Sequence, residues 1–144
     1  MATELWRWKH IEDIDNPGDV YLSRLMLVRT RLFGIYFHVI RRPDWSRCQH
    51  DHPWPFITII LRGGYVEKVG EHHFFRHPGY VGFRPRSFEH SITHLLTERS
   101  CSLVLRGPNR ETWGFRTPDG KIPWLQYMRL PNALRVMWCG ENGK

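Results

Sequence analysis

Short apolar segments with a period of two residues, separated by turn residues, most constrain what this chain can fold into. In segment 33–39 every second residue is a large apolar one, and segment 56–61 is continuously apolar or β-branched. Alternation places successive side chains on opposite faces of a strand, whereas a helix needs a period near 3.6. Similar segments follow at 65–67, 80–83, 89–96, 102–105 and 112–115. Many short strands between turns predict an all-β sandwich or barrel.

Glycine and proline pairs divide this pattern. Gly63 and Gly64 separate two of the strands and predict a β-hairpin. Pro131 and Asn132 precede an apolar segment and predict a short C-terminal helix. No repeat or linker is visible in the 144 residues. We therefore expect one domain over residues 1–144, with a core barrel at about residues 20–118 and terminal extensions packed on it.

Cysteine usage and hydropathy indicate the compartment. Cys48, Cys101 and Cys139 are odd in number and form no CxxC pair. A disulfide framework is therefore not expected, and Cys101 and Cys139 are interpreted as ordinary buried thiols. The N-terminus lacks the apolar core of a signal peptide, and no apolar run approaches the roughly 20 residues that cross a bilayer. The sequence predicts a cytoplasmic protein that makes no membrane contact.

The formal charge of +7 permits an anionic partner. However, the basic residues are spread along the chain, and no Lys/Arg-rich block of five to eight residues occurs. This distribution favours a solvated surface over a nucleic-acid interface. We expect a small-molecule substrate as the main partner. A homodimer is also compatible with the edge strands and with seven Trp, eight Phe and five Tyr.

Histidines carry the clearest chemical signal. His50 and His52 form an HxH pair, and in an extended segment residues i and i+2 point to the same face. Two imidazoles so placed can reach one metal ion at roughly 2.0–2.1 Å each. His90 begins a later predicted strand and is the best candidate for a third ligand. A surface loop rich in His and Pro is the alternative interpretation of the pair alone.

These residues resemble the two sequence motifs of the cupin superfamily. Gly79, Pro85 and His90 stand at the spacings of the second cupin motif, with Ser87 at its second Gly and His94 at its Asn. In the first motif this chain supplies His50, His52 and Gly63. It has Asp44 at the first Gly and Phe56 or Ile57 at the Glu. The resemblance covers roughly residues 44–105 and implies a double-stranded β-helix, which is a jelly-roll barrel of two facing sheets.

The same resemblance implies a metal site of the three-histidine type found in thiol dioxygenases and some other non-haem iron oxygenases of that superfamily. One divalent ion would lie on His50, His52 and His90; Fe(II) is favoured, and Zn, Ni or Mn are the alternatives. Three neutral ligands leave the ion its charge and open positions for dioxygen and an anionic substrate. Glu67 lies beyond the Gly63–Gly64 turn, too far along its strand to be expected as a fourth ligand.

The leading prediction is therefore a metal-dependent Fe(II) dioxygenase that acts on a small anionic molecule. Arg106 or Arg84 is expected to bind the substrate, with Arg31 as a rival, and Trp54 is expected to line the pocket. His94 would share the face of His90 in a regular strand and shuttle protons, unless it faces solvent. The alternative prediction is a non-catalytic cupin module that binds a ligand or a partner, with or without metal.

Overall fold

The computed structural model describes residues 5–13, 16–43, 48–109 and 112–139, so Asp44 lies outside the described residues. Within these described ranges, eleven strands and two helices follow one another. They are β1 (Trp8–Asp13), β2 (Asn16–Arg29), β3 (Gly34–Ile40), β4 (Phe56–Arg62), β5 (Tyr65–Val69), β6 (His72–Arg76), β7 (Val81–Arg84), β8 (Ser91–Leu95), β9 (Ser100–Arg106), β10 (Gly114–Thr117), β11 (Gly120–Pro123), α1 (Trp124–Met128) and α2 (Asn132–Cys139).

The strands form antiparallel sheets of six, three and two strands. The large sheet has the order β1-β2-β3-β9-β4-β7, the second sheet has the order β6-β5-β8, and β10 pairs with β11. Many of these neighbours are far apart in sequence, as in β3 with β9 and β4 with β9. Such crossing connections between two sheets are those of a jelly-roll barrel, and they confirm the predicted all-β class.

Alternate residues of the central strands point into the barrel. In β9 the burial alternates strictly along Ser100–Arg106, and in β4 Phe56, Thr58 and Ile60 are buried. Phe56 packs with Tyr36 and Val104 in one apolar cluster. The period of two therefore identifies the strands, but not always the inward face: in β9 the buried residues include Ser102 and Arg106, whereas Leu103 and Leu105 are half-buried on the other face.

The hairpin predicted at Gly63–Gly64 is wrong. β4 pairs with β7 and β9, whereas β5 pairs with β6 and β8, so the two glycines carry the chain from one sheet to the other. Both have positive φ, at +84° and +102°, and a Cβ atom at either position would meet a backbone carbonyl oxygen. Only glycine fits such a crossing without strain.

The ends of the chain contain more structure than the sequence pattern indicated. The N-terminal strands β1 and β2 pair with each other, and Pro17 and Gly18 lie within β2. At the other end, the predicted C-terminal helix is confirmed as α2, and a short helix α1 precedes it. Among the described residues, neither helix is long and apolar enough to cross a membrane.

The cysteine prediction is wrong for two of the three residues. Cys48 and Cys139 form a disulfide across 91 residues of sequence, with their Cα atoms 4.9 Å apart. Cys101 is a free, half-buried thiol. The pairing follows from α2, which returns the end of the chain to the segment before His50. The odd number of cysteines therefore does not indicate a reducing compartment, and the cytoplasmic location stays a prediction.

Candidate metal centre

Backbone hydrogen bonds hold the HxH segment between two strands. His50 and His90 pair directly, with His50 N donating to His90 O at 2.9 Å and His90 N donating to His50 O at 3.0 Å. On its other side the segment contacts β10, where Gly114 N donates to Asp51 Oδ1 at 2.9 Å. The second Asp51 oxygen forms an ion pair with Lys121. The segment is therefore extended, as the HxH spacing predicted.

The three predicted ligands meet inside the barrel. The ring centroids of His50 and His52 are 5.2 Å apart, those of His50 and His90 are 5.1 Å apart, and those of His52 and His90 are 5.2 Å apart. One ring nitrogen from each residue lies within 4.8 Å of the other two. Within the described part of the chain, His50, His52 and His90 are the side chains of His, Cys, Asp or Glu that lie close enough together to hold a metal ion.

The hydrogen bonding of the rings fits a metal. Within the described residues, Nδ1 of His52 and Nε2 of His90 are buried and lack a hydrogen-bond partner. A buried polar atom without a partner costs roughly 1–3 kcal/mol. An ion bound between the rings would satisfy both atoms, and imidazole nitrogen suits divalent iron, zinc, nickel and copper.

Glu67 orients His90 and does not belong to the ligand cluster. Its side chain is fully buried, and His90 Nδ1 donates to Glu67 Oε2 at 2.7 Å. This bond leaves Nε2 of His90 for a metal, because a histidine that ligates through one nitrogen commonly donates through the other. The sequence interpretation had left Glu67 outside the site. Glu67 is indeed not in the group of candidate metal ligands, but the sequence interpretation missed its hydrogen bond with His90.

Arg84 serves Glu67 as a partner. Its Nη2 donates to Glu67 Oε1 at 2.6 Å and to the Tyr80 hydroxyl at 2.8 Å. Arg76 Nε donates to the same Glu67 oxygen at 3.0 Å. Burial alone would raise the pKa of Glu67, but the hydrogen bonds and charges of His90 and Arg84 lower it to about 2. Arg84 thus lies in an ion pair with Glu67, and its expected contact with substrate stays a prediction.

Electrostatics keep His52 neutral. Burial, and then the neighbouring rings of His90 and His50, hold the pKa of His52 well below its usual range. A fourth histidine, His38, lies on the inward side of β3, where its Nε2 accepts a hydrogen bond from Arg24 Nε at 3.0 Å. Burial and the Arg24 charge lower the pKa of His38 to about 3. Neutral imidazole is the form that binds metals.

His94 does not share the face of His90. In β8 Ile92 pairs with Glu67 while His94 pairs with Val66, so a bulge lies between them. Neighbouring residues of β5 face opposite sides, and His94 therefore points away from the Glu67 side. Its ring is exposed and contacts the Thr93 hydroxyl at 3.0 Å. The regular strand assumed for the proton shuttle is interrupted before this residue.

A cavity of 550 Å³ lies beside the cluster. His52 lines it, together with Asp51, Arg86 and Lys121. Pro55 and Pro85 supply part of its apolar wall. This cavity places basic side chains near the ligand ring of His52.

Arg106 and Trp54 lie together at a different cavity. That cavity has a volume of 940 Å³ and is also lined by Arg24, Arg31 and Tyr36, but by none of the three clustered histidines. The Arg106 guanidinium lies 5.4 Å from the centroid of the Trp54 ring. Arg106 and Trp54 therefore lie together at a cavity other than the one that His52 lines, and their contact with substrate stays a prediction.

Solved structures provide the comparison for this barrel, because no protein-family model matches the sequence and no curated protein is significantly similar to it. A cupin 2 conserved barrel domain protein from Rhodopseudomonas palustris has a TM-score of 0.61 at 17% identity, covering 79% of this chain and 79% of that chain. A cupin-2 domain protein from Rhodospirillum rubrum has a TM-score of 0.60 at 14% identity, covering 91% of this chain and 86% of that chain. The chain has the cupin fold.

The resemblance predicted from the two motifs is thereby confirmed at the level of the fold. A further structure similar to this chain is that of Fe(II) HppE, with a TM-score of 0.57 at 14% identity. It matches 69% of this chain and 56% of that chain. At such identities the likeness concerns the barrel, and the chemistry has to be argued from the residues of this chain.

Proposed function

We propose that this cupin is a metal-dependent enzyme of the Fe(II) dioxygenase type, acting on a small anionic molecule that enters the cavity beside His52. The observation that carries the proposal is the convergence of three histidine rings whose buried nitrogens at His52 and His90 have no partner among the described residues. A barrel that only packed its core would place apolar side chains there, since unpaired buried polar atoms are unfavourable.

Fe(II) on these three neutral ligands would supply positive charge and open coordination positions for redox chemistry with dioxygen. The remaining tasks belong to the chain. Glu67 fixes the His90 ring through Nδ1, and burial keeps His52 unprotonated. Arg86 and Lys121 line the cavity at His52. Because Lys121 is ion-paired with Asp51, Arg86 is the side chain proposed to contact the anion.

Metal analysis of histidine variants tests the first half of the proposal. His50→Ala and His90→Ala should each lose bound metal while the barrel stays folded, as measured by elemental analysis and circular dichroism on protein purified without a histidine tag. His94→Ala is the matched control, because it removes an exposed imidazole outside the cluster. Full metal content in either cluster variant would contradict the assignment.

Oxygen consumption tests the second half. Iron-loaded protein is incubated with a panel of small carboxylates, thiols and organic phosphates, and dioxygen uptake is followed with an electrode. Uptake with one of them that disappears in His90→Ala supports the dioxygenase. Zinc, nickel or manganese as the bound metal, without oxygen uptake, would exclude it. A metal-free protein whose stability ignores chelators would instead support the non-catalytic module.

A further inference from the structure

The cavity at Arg106 collects positive charge that is scattered in the sequence. Six of its lining residues are Arg or Lys, and no Asp or Glu is among the described residues that line it. Arg24 and Arg106 form its inner wall. Arg7, Lys9, Arg29 and Arg31 line its exposed part. A concave surface with one sign of charge concentrates ligands of the opposite sign.

Among the described residues, the groups that hold Arg106 in place are neutral. Its side chain is buried, and its nitrogens donate to the Tyr36 hydroxyl at 2.8 Å, to Gly107 O at 3.0 Å and to Thr30 O at 3.2 Å. These bonds fix the plane of the guanidinium, and within the described residues no carboxylate compensates its charge. A buried charge of this kind is unfavourable until an anion reaches it.

Arg24 brings a second such charge beside the first. Its Nε donates to the neutral ring of His38, and in the described part of the chain neither Arg24 nor Arg106 forms an ion pair. The two guanidinium carbons lie 5.0 Å and 5.9 Å from the centroid of the Tyr36 ring. Burial and the nearby Arg106 charge lower the pKa of Arg24. Two like charges thus line one cavity, each within 5.9 Å of the centroid of the same ring.

Aromatic rings complete the wall. Trp54 lies against Arg106 and lines the cavity, and Trp8 lines it with 48% of its surface exposed. Arg binds phosphate through paired hydrogen bonds, and an exposed indole offers a planar apolar surface for stacking. The combination suits a ligand with an anionic end and a planar end.

We propose that this cavity is a second binding site, which takes an organic phosphate ester with its phosphate between Arg24 and Arg106 and its planar group against Trp8 and Trp54. The site does not use the three clustered histidines. Its ligand therefore binds whether or not a metal is present, and the proposal stands apart from the dioxygenase activity.

Calorimetric titration with phenyl phosphate tests this site, using the full chain after treatment with a chelator. We expect phenyl phosphate to bind at least about tenfold more tightly than phenol or inorganic phosphate, because each lacks one half of the ligand. The affinity should fall as ionic strength rises. Equal affinity for phenol would overturn the anion site, and equal affinity for inorganic phosphate would overturn the aromatic part.

Variants locate the binding. Arg106→Gln and Arg24→Gln should each weaken phenyl phosphate binding about tenfold or more, because each removes a charged donor. Arg62→Gln, at an exposed arginine outside the cavity, is the matched control. Trp8→Leu should weaken the binding of phenyl phosphate and leave that of inorganic phosphate unchanged. Because Trp8 is half exposed, this variant tests the site even if Arg106→Gln does not fold.

Two results would overturn the proposal. The first is an affinity that is the same in Arg24→Gln, Arg106→Gln and Arg62→Gln, which would place the ligand elsewhere. The second is binding that appears only in metal-loaded protein, which would mean that the phosphate binds the ion at the histidine cluster. If the dioxygenase assay fails, the affinities of phenyl phosphate for the wild-type chain and for the variants still test this site.

Discussion

Glu67 connects three parts of the barrel through one carboxylate. It lies on β5 and accepts hydrogen bonds from His90, from Arg84 on β7 and from Arg76 on β6. One oxygen serves the two arginines and the other serves the histidine. The Glu67 carboxylate therefore fixes the orientation of the His90 ring through a hydrogen bond. It also forms ion pairs with the two arginines.

Glu67→Gln should weaken metal binding roughly 10- to 100-fold, the usual effect of removing a group that orients a ligand histidine. If the amide oxygen stays with Arg84, its NH2 group faces His90 Nδ1 and favours the tautomer with the proton on Nε2. Metal affinity is measured by competition with a chelator of known affinity. Unfolding by urea should also become easier by about 3 kcal/mol or more, since a buried ion pair loses its charge.

Glu71→Gln is the control for this variant, because Glu71 is an exposed acid in the turn after β5. A metal affinity in Glu67→Gln equal to that of the Glu71→Gln control would show that the contact with His90 has no part in binding.

The sequence predicted the histidines but not their carboxylate partner, and the reason is local. The spacing of His50 and His52 follows from strand geometry alone, and His90 follows a motif of fixed spacing. Glu67 depends on the register of β5 against β8, which the crossing at Gly63–Gly64 sets. A single acid in a strand carries no period that would distinguish a buried partner from a surface charge.

The C-terminal helices pack against the segment that leads to the histidine cluster. Tyr127 of α1 is fully buried, stacks on Phe115 with the ring centroids 3.9 Å apart, and accepts a hydrogen bond from Cys48 N at 3.0 Å. Phe115 in turn contacts the ring of His50, at 5.5 Å between the centroids. The disulfide from Cys48 to Cys139 ties α2 to this same segment. The C-terminal helices therefore stabilise the position of the first ligand.

Cys139→Ser should lower the free energy of unfolding by about 2–4 kcal/mol, because the disulfide closes a long loop and restricts the unfolded chain. Urea unfolding monitored by tryptophan fluorescence measures the change. Cys101→Ser, at the free thiol, should leave the midpoint nearly unchanged. A reducing agent should reproduce the Cys139→Ser effect in the wild-type chain, and no response to it would show that the bond contributes nothing.

Element prediction succeeded where apolar and β-branched residues mark a strand. The alternating segment 33–39 became β3, and the continuously apolar or β-branched segment 56–61 became β4. It failed where tertiary contacts determine the strand pairing, as for the partners of β5. It also missed the bulge between β5 and β8, because a bulge adds one residue without any change in composition. The disulfide was not predicted for the same reason, because Cys48 and Cys139 come together only when α2 packs against the barrel.

At the scale of the whole molecule, the barrel interior contains more ionisable groups than its apolar pattern indicated. Apolar residues of the large sheet form one cluster around Tyr36, Phe56 and Val104. Arg84 and Arg106 of the same sheet are buried as well, and so is Glu67 on β5 of the second sheet. Apolar periodicity identifies these segments as strands, but it does not show which polar residues are buried or how they pair. The contacts within the chain do not test the expected homodimer or the single-domain organisation, and both stay predictions.

Buried neutral histidines should make the stability of the metal-free protein depend on pH. The pKa of His38 is lowered to about 3 and that of His52 lies well below its usual range, whereas an unfolded histidine titrates near 6.5. Between these values the unfolded chain binds protons that the folded chain does not. Stability from these groups is therefore present above about pH 6.5 and is lost as the pH falls below it.

From pH 7 to pH 5 we expect the free energy of unfolding to fall by roughly 1 to 2 kcal/mol for each of the two histidines. Urea titrations in the presence of a chelator measure it, in a window above the range in which Glu67 contributes. His38→Gln keeps an acceptor for Arg24 but cannot titrate, so its slope over this range should be shallower than that of the wild type. Identical slopes would contradict the prediction, because they would mean that His38 takes up a proton inside the folded barrel despite the Arg24 charge beside it.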